Sequence, residues 1–139
     1  MIIDLSIVFV NYYYKEDISQ ALRSVFKDIE HCPYSVKVVV VDNSNNADGI
    51  GKVLYNEFPQ VLYINPKENV GFGKGTTLGF KAVPARYYFA LNRDTIISEG
   101  TKVIERMIAF MDAHPKIGCI GPKLVYMDGA IQQSCFRFD

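Results

Sequence analysis

Five residues in the second half of the chain, Leu91 to Thr95, carry the side chains best suited to chemistry. They read Leu-Asn-Arg-Asp-Thr and follow the apolar run 87–90, which predicts a buried strand. In open α/β sheets, ligands bind in the crevice outside the carboxyl ends of the strands. One carboxylate at such a place, here that of Asp94, can hold a hard divalent cation whose other ligands are phosphates of a bound molecule. Asp94 could equally cap the helix that follows, because Asp is a favoured N-cap residue, and the residues alone leave both roles open.

Polar side chains also stand at the ends of three earlier apolar runs. The runs at 5–10, 36–41 and 61–64 are almost continuously apolar, which is typical of strands covered on both faces. The residues that follow them are Asn11 and Tyr12, Asp42 to Ser44, and Asn65. A single residue of this kind is no more than a turn former. Together with Asn92 and Asp94, the series predicts a polar crevice along the carboxyl edge of a parallel sheet.

Helical patterns separate these runs. Apolar residues at helical spacing predict a helix over about 15–30, opened by a capping box at Asp17 and Gln20. Further helices are predicted over about 48–58, over about 72–83, and between Ser98 and Pro115. The last is expected to bury Val103, Met107, Phe110 and Met111. Strands that alternate with helices of this length form βαβ units, so the predicted fold class is α/β, with a mostly parallel central sheet and helices on both faces.

The pattern changes after Pro115. Residues 117–120 predict a short strand, and Asp128-Gly129 between the runs 123–127 and 130–134 predicts a short hairpin near the C-terminus. A turn explains Asp128 better than catalysis does. The chain ends in Phe136-Arg137-Phe138-Asp139, and two aromatic residues at an abrupt end indicate a single domain, 1–139, that is truncated on its C-terminal side. Apolar surface left bare by such a cut would make a homodimer possible.

Composition limits the partners and the location. The chain has 139 residues and a formal net charge of zero, with its basic residues scattered, which argues against a nucleic-acid partner. Its three cysteines, Cys32, Cys119 and Cys135, lack metal-type spacing and are interpreted as reduced thiols. No signal peptide precedes the first strand, and no apolar run is long enough to cross a bilayer. The predicted location is therefore the cytoplasm, with peripheral attachment at the inner face of the membrane left open.

The glycine-rich stretch 69–75 does not match a known phosphate loop. Glu68 stands where a Walker loop needs glycine, and Thr76 stands where the dinucleotide fingerprint needs its last glycine. What remains is a flexible loop that opens a helix, whose N-terminus favours a phosphate and to which Lys74 could add charge. The small residues could also simply let this helix pack tightly on the sheet. The two interpretations are compatible.

Motifs spaced along the whole chain carry a family resemblance. They are Val8 to Tyr12, Val40 to Ser44, Glu68 to Phe72, Leu91 to Thr95 and Ile120 to Leu124, followed by Met127-Asp128-Gly129 and Gln132. In this order they resemble the N-terminal, donor-binding half of a family 2 glycosyltransferase with the GT-A fold, in particular its rhamnosyltransferase-like group. The resemblance implies transfer of a sugar from a nucleotide-diphosphate donor, UDP- or dTDP-linked. The acceptor would be a glycan or lipid-linked molecule in cell-surface polysaccharide synthesis.

The resemblance also implies roles for individual residues. Val10, Asn11 and Tyr12 would border the base, Asp42 would hydrogen-bond it, and Asn69 and Gly71 would lie beside the nucleotide and its sugar. Asn92 and Asp94 would be the first and last residues of a DXD-like motif, and Asp94 would hold Mg²⁺ or Mn²⁺ against the diphosphate. Three departures reduce the match, namely Asn92 for the first acidic residue, Arg93 where proline is frequent, and Thr76-Thr77 where asparagines are frequent.

Two alternatives to a complete transferase remain open. The family's catalytic base would lie beyond residue 139, so the chain is also consistent with a catalytically incomplete nucleotide-binding or regulatory module. A nucleotidyltransferase with a similar sheet is less consistent, because residues 11–15 contain neither glycine nor arginine.

Overall fold

The computed structural model describes residues 2–134 and contains one central parallel sheet. Its strands are β1 (Ile3–Asn11), β2 (Val36–Asp42), β3 (Leu62–Ile64) and β4 (Ala85–Ala90), in the order β3-β2-β1-β4. The chain builds outward from β1 to β3 and then returns to place β4 on the other side of β1. The strand order therefore reverses between β1 and β4, and in such sheets the ligand crevice opens at this reversal point, beyond the carboxyl ends of the strands.

Helices cover both faces of the sheet, as predicted. They are α1 (Lys15–Asp28), α2 (Ile50–Glu57), α3 (Phe72–Ala82) and α4 (Val103–Ala113). The larger core lies on the face that carries α1, α2 and α4, where Leu5, Ile7 and Phe9 of β1 meet apolar residues of all three helices. Helix α3 covers the opposite face over a smaller core of Val8, Val39 and Val41.

Two glycines of α3 allow the helix to approach the sheet closely. A Cβ atom added to Gly79 would lie 2.5 Å from a methyl group of Val8, and one added to Gly75 would lie 3.3 Å from both methyl groups of Val10. The glycines are one helical turn apart and face the same strand. Close packing therefore explains Gly75 and Gly79, whereas a Cβ atom at Gly73 would meet nothing within 4 Å.

Helix α4 docks through a different face from the predicted one. Ile104 and Ile108 are buried, while Met107 and Met111 are half-buried and Phe110 is exposed. Both Ile104 and Ile108 and the pair Met107 and Met111 lie at helical spacing, so the sequence does not specify which of these two faces packs on the sheet.

The C-terminal part contains a confirmed hairpin and one wrong prediction. Strands β5 (Leu124–Val125) and β6 (Ile131–Gln132) pair antiparallel around Asp128-Gly129, where Gly129 has a φ of 85°. The strand predicted at 117–120 is absent, because Gly118 to Ile120 instead border a cavity of about 280 Å³ between β4 and α4. Residues 136–139 and Cys135, which supported the predictions of a cut end and of a third thiol, lie outside the described residues. Cys32 and Cys119 are free thiols.

No helix within residues 2–134 is both long and apolar enough to cross a membrane.

Candidate functional site

Asp42 is the centre of a buried polar network at the carboxyl edge of the sheet. Its side chain has no solvent exposure, and its two oxygens accept five hydrogen bonds from the part of the chain that the structure describes. The donors to Oδ1 are the Asn11 amide at 3.0 Å and the Ser44 backbone N–H and hydroxyl at 3.0 and 2.6 Å. The donors to Oδ2 are the Asn46 N–H at 2.7 Å and the Tyr63 hydroxyl at 2.8 Å.

The network sets the charge state of Asp42. Burial by itself raises the pKa of this carboxyl, but hydrogen bonds from Ser44, Tyr63 and Asn11 outweigh it, and the pKa lies below its ordinary value of 3.8. Burial and the hydrogen bond to Asp42 raise the pKa of the Tyr63 hydroxyl. At neutral pH the network is therefore an ionised carboxylate surrounded by protonated donors.

Asn11 joins the ends of β1 and β2. It pairs with Asp42 in the sheet register, and its Nδ2 donates both to Asp42 and to Asp48 Oδ2, each at 3.0 Å. Its Oδ1 accepts from the backbone N–H of Tyr14 at 3.1 Å. The amide thus links the loop that follows β1 to the end of β2 and to the loop after β2.

That loop presents two tyrosine rings to solvent. Tyr12 and Tyr13 are about half exposed, and their rings meet edge-on with centroids 4.8 Å apart. Tyr13 has a φ of 64°, which is unusual for a residue with a bulky side chain. Strained backbone of this kind clusters at functional sites, so an exposed ring beside the crevice is consistent with contact to a flat ligand group.

Asn43, in the loop after β2, hydrogen-bonds the glycine-rich stretch 69–75. Asn43 Nδ2 donates to the Gly71 carbonyl at 3.1 Å, and the Gly71 N–H donates to Asn69 Oδ1 at 2.9 Å. Gly71 has a φ of 81°, which permits the turn into α3. Asn43 is buried, and its Oδ1 has no hydrogen-bond partner within residues 2–134. Lys74 is exposed in the first turn of α3.

Asp94 lies in an exposed turn at the end of β4. The turn is closed by a hydrogen bond from the Thr95 N–H to the Asn92 carbonyl at 3.2 Å, and the side chains of both Asn92 and Asp94 are exposed. Asp94 does not cap α4. Asp28, at the end of α1, does so instead, because its two oxygens accept from the N–H groups of Val103 and Ile104 at 3.1 and 2.9 Å.

The donor set around Asp94 suits a shared metal site rather than a closed one. Residues 2–134 contain no group of three or more His, Cys, Asp or Glu side chains that could hold a metal ion by themselves. Mg²⁺ is commonly bound by one or two carboxylates together with substrate phosphates and waters. The exposed Asp94 carboxylate, which no residue of the described range engages, fits that arrangement.

The connection from β4 to α4 is attached along α1. Arg93 Nη1 contacts Asp17 Oδ2 at 2.7 Å, the Ile97 N–H donates to Ser24 Oγ at 3.1 Å, and Asp28 holds the start of α4. Asp17, Ser24 and Asp28 are spaced seven and four residues apart, so they share one face of the helix. Asp17 is therefore engaged with this connection and makes no capping box; no side chain caps α1.

Several residues of this edge are not apparent from strand ends alone. Tyr63, Asn46 and Asp48 join the Asp42 network from other segments, and Asn43 reaches the glycine-rich stretch. One available signal is the tyrosine in the otherwise aliphatic strand β3, because a buried tyrosine hydroxyl requires a hydrogen-bond partner.

Comparison with protein families identifies the chain. The model of the family Glycosyl transferase family 2 matches residues 6–132, nearly the whole sequence. The chain belongs to this family. No curated protein matches it.

Solved structures share the family's fold. The chain resembles residues 1–349 of TarS from S. aureus with a TM-score of 0.63 and 21% identity, over 81% of this chain and 33% of that one. TarS has also been solved in complex with UDP and with UDP-GlcNAc. The mannosyltransferase PcManGT from Pyrobaculum calidifontis, in complex with GDP-Man and Mn²⁺, matches with a TM-score of 0.56 and 13% identity, over 69% of this chain and 29% of that one. The chain thus spans about a third of the length of these structures and has the α/β fold of GT-A glycosyltransferases.

Proposed function

We propose that this chain binds a nucleotide-diphosphate sugar at the carboxyl edge of its sheet and is the donor-binding part of a glycosyltransferase. One observation carries the proposal. The Asp94 turn lies at the reversal point of the strand order, where α/β sheets bind their ligands, and its carboxylate is exposed and unengaged within the described range. Family membership supplies the reaction class.

Asp94 is the residue proposed to hold Mg²⁺ or Mn²⁺, with the donor's diphosphate completing the coordination. A divalent cation at this place would neutralise the charge that builds on the departing diphosphate. Asn92, two residues earlier, adds a neutral amide to the same turn. The Mn²⁺ in the PcManGT complex is consistent with this assignment.

The remaining site residues are proposed to bind the nucleotide. The exposed Tyr12 ring and the backbone of Val10 and Asn11 would border the base. Asp42 is proposed to accept a hydrogen bond from the base. In the structure both of its oxygens already accept hydrogen bonds from protein donors. A direct hydrogen bond from a base therefore requires one donor, such as the Tyr63 hydroxyl, to move aside.

The glycine-rich stretch is proposed to lie beside the ribose and phosphates. Asn69 and Gly71 shape the turn there, and Lys74 adds a positive charge at the exposed N-terminus of α3, which favours anions.

The finer assignment is a UDP- or dTDP-linked donor and a glycan or lipid-linked acceptor in cell-surface polysaccharide synthesis, as in the rhamnosyltransferase-like group. UDP and UDP-GlcNAc in the TarS complexes favour a uracil nucleotide. We further propose that residues 1–139 form one nucleotide-sugar-binding domain of a longer transferase. It would act in the cytoplasm or at the inner face of the membrane, with a homodimer as one possible assembly.

The test is calorimetric titration of UDP and dTDP into this chain, with Mn²⁺ and with a chelator. We expect tighter binding with Mn²⁺ and, in Asp94→Asn, loss of the difference between the two conditions, because the amide cannot serve as a charged ligand. Glu99→Gln removes the same charge from an exposed position on the same connection and should behave like the parent. Equal metal dependence in Asp94→Asn and the parent would refute the metal assignment.

A catalytically incomplete nucleotide-binding or regulatory module is the alternative. Two acidic residues of the C-terminal half are already engaged, since Asp112 accepts from Arg86 and Tyr87 and Asp128 Oδ1 accepts the Ala130 N–H. An ion pair and a turn therefore give both residues structural roles. Release of UDP from UDP-sugars by this chain, measured with and without simple glycan acceptors, would distinguish the two functions.

A further inference from the structure

We propose that Arg93 is a positioning residue that holds the Asp94 turn against the first turn of α1. This inference rests on the proposed function, because it concerns the residue next to the proposed metal ligand. Arg93 is adjacent to Asp94, and its side chain ties the turn to a segment of the chain 76 residues away.

Arg93 makes both an ion pair and an aromatic contact. Nη1 lies 2.7 Å from Asp17 Oδ2, and Cζ lies 3.1 Å from the centre of the Tyr14 ring. The Arg93 side chain is only about a third exposed. A planar guanidinium can pair with a carboxylate through its edge and stack flat on an aromatic ring through its face, and an ammonium group has no such flat face.

Within residues 2–134, no other side chain of the turn 92–95 hydrogen-bonds another element. The side chains of Asn92 and Asp94 are exposed, and within residues 2–134 neither makes a side-chain hydrogen bond, so the turn's own bond from Thr95 to Asn92 sets only its internal shape. The position of the Asp94 carboxylate relative to the crevice therefore depends on how the turn is fixed to its surroundings. Arg93 is the side chain of the turn that reaches another element.

The anchor also connects the turn to the Asp42 network. The Tyr14 ring lies under Arg93, the Tyr14 N–H donates to Asn11, and Asn11 donates to Asp42. A continuous series of contacts thus joins the proposed metal ligand to the proposed base site across the ends of β4 and β1. One nucleotide must reach the metal with its diphosphate and the base site with its base. The distance between Asp94 and Asp42 must therefore stay constant.

A purely structural role makes a different prediction. An exposed ion pair that only stabilised α1 would change the unfolding free energy slightly and leave the ligand's metal dependence unchanged. A positioning role instead loosens the turn and weakens the metal-dependent part of nucleotide binding. The two roles are therefore separable by measurement.

The experiment has two arms on the whole chain, with Arg93→Ala, Arg93→Lys and Asp17→Asn. The first arm is NMR hydrogen exchange of the Thr95 amide, which closes the turn. The second is UDP affinity with Mn²⁺ and with a chelator. Arg23→Ala is the matched control, because Arg23 also pairs with a carboxylate, Glu57 at 2.6 Å, and lies 5.9 Å from an aromatic ring centre, that of Phe58, away from the turn.

We expect Arg93→Ala and Asp17→Asn to speed exchange at Thr95 and to weaken Mn²⁺-dependent UDP binding about threefold to tenfold, in line with the strength of such contacts. Affinity with the chelator should not change. Arg93→Lys should restore part of both losses, because it keeps the ion pair but not the flat contact with Tyr14. Arg23→Ala should match the parent in both arms.

Unchanged Thr95 exchange in Arg93→Ala and Asp17→Asn would overturn the inference, and so would faster exchange with undiminished Mn²⁺-dependent binding. Failure of the parent itself to bind UDP would count against the proposed function. In that case, faster exchange in both variants and not in Arg23→Ala would still support the anchor, and unchanged exchange would still overturn it.

Discussion

Asp42 is an ionised group without solvent contact, and its stability depends on the donors around it. Burying an unpaired carboxylate is costly, whereas hydrogen bonds to a charged group contribute more than those between neutral groups. Asn11 in β1, Tyr63 in β3, and Ser44 and Asn46 in the loop after β2 supply these donors. The network therefore fixes the carboxyl ends of β1, β2 and β3 relative to one another.

Tyr63→Phe tests this network at one atom. The substitution removes the hydroxyl and keeps the ring in the core, so it should lower the unfolding free energy at pH 7 by about 1–3 kcal/mol, the range for a bond to a charged group. Tyr55→Phe is the control. Because Tyr55 is exposed, removal of its hydroxyl should not change the unfolding free energy measurably. Urea denaturation of both variants measures the difference, and equal stability of the two would contradict the role of Tyr63.

The same pair of variants predicts a pH dependence. The pKa of Asp42 is depressed in the folded state, so its contribution to stability is complete above the ordinary value of 3.8 and is lost as the pH falls through the depressed pKa. The gap between Tyr63→Phe and the parent should therefore narrow below about pH 4, as Asp42 becomes protonated. A gap that stayed constant down to pH 2 would mean that the Tyr63 hydroxyl does not act on the ionised carboxylate.

Sequence reasoning finds Asp42 with its partners Asn11 and Ser44, but not Asn46 or Tyr63. Asp42 is visible because a polar residue ends an apolar run, and Ser44 is visible because an Asp side chain commonly binds the N–H two residues on. Tyr63 and Asp48 reach the network only because β3 lies beside β2 and the loop after β2 folds back over Asn11. Such contacts depend on strand order, which local patterns do not encode.

Among the elements, α3 is the one whose packing depends most on small residues. Gly79→Ala would place a methyl group 2.5 Å from a methyl group of Val8, which is far shorter than a van der Waals contact. The helix or the strand must therefore shift. We expect a loss of about 1–3 kcal/mol of unfolding free energy, the usual cost of overpacking. Gly73→Ala is the matched control in the same helix, and it should be neutral or stabilising, because its Cβ atom meets open space. Thermal denaturation of both variants decides this, and a stable Gly79→Ala would refute the close approach.

Helix α4 depends on a cap supplied by another helix. An acidic residue in the last turn of α1 is unfavourable for that helix, and Asp28 is explained by its two bonds to the start of α4. Asp28→Ala should lower the unfolding free energy by about 1 kcal/mol, and Asp28→Asn should recover part of that loss, because its one amide oxygen can keep one of the two bonds. Denaturant titration of both variants measures this. Equal losses in the two would indicate that charge, and not capping, is what Asp28 provides.

The helix boundaries are more predictable than the helix faces. The predicted limits of α1 to α3 agree with the structure to within about two residues, because Pro59 and Pro84 and the apolar spacing mark them. The predicted buried face of α4 is wrong, because Ile104 and Ile108 pack in the core where Met107 and Met111 were expected to. The methionines instead border the cavity beside β4, together with Cys119 and Ile120.

For the whole molecule, the class of fold follows from the sequence and the strand order does not. Alternating strands and helices predict a parallel sheet, and helices on both faces are confirmed. Whether β4 joins β3 or returns to β1 depends on which face α3 covers, and α3 crosses the opposite face from the other helices. This return creates the reversal point between β1 and β4, and it brings Asn11 and the Asp94 turn to neighbouring strand ends.

The attachment of residues 93–104 along α1 has a consequence for chain length. Asp17 and Asp28 are about 16 Å apart along the helix, and the connection must cover that distance between Arg93 and Ile104 with one further attachment at Ile97. An inserted or deleted residue between Arg93 and Ile97 would move one attachment past its partner. A residue inserted or deleted within 98–102, by contrast, would fall between the attachments at Ile97 and Val103 and need not displace either one. Irregular as it is, the first half of this connection is therefore as fixed in length as a strand.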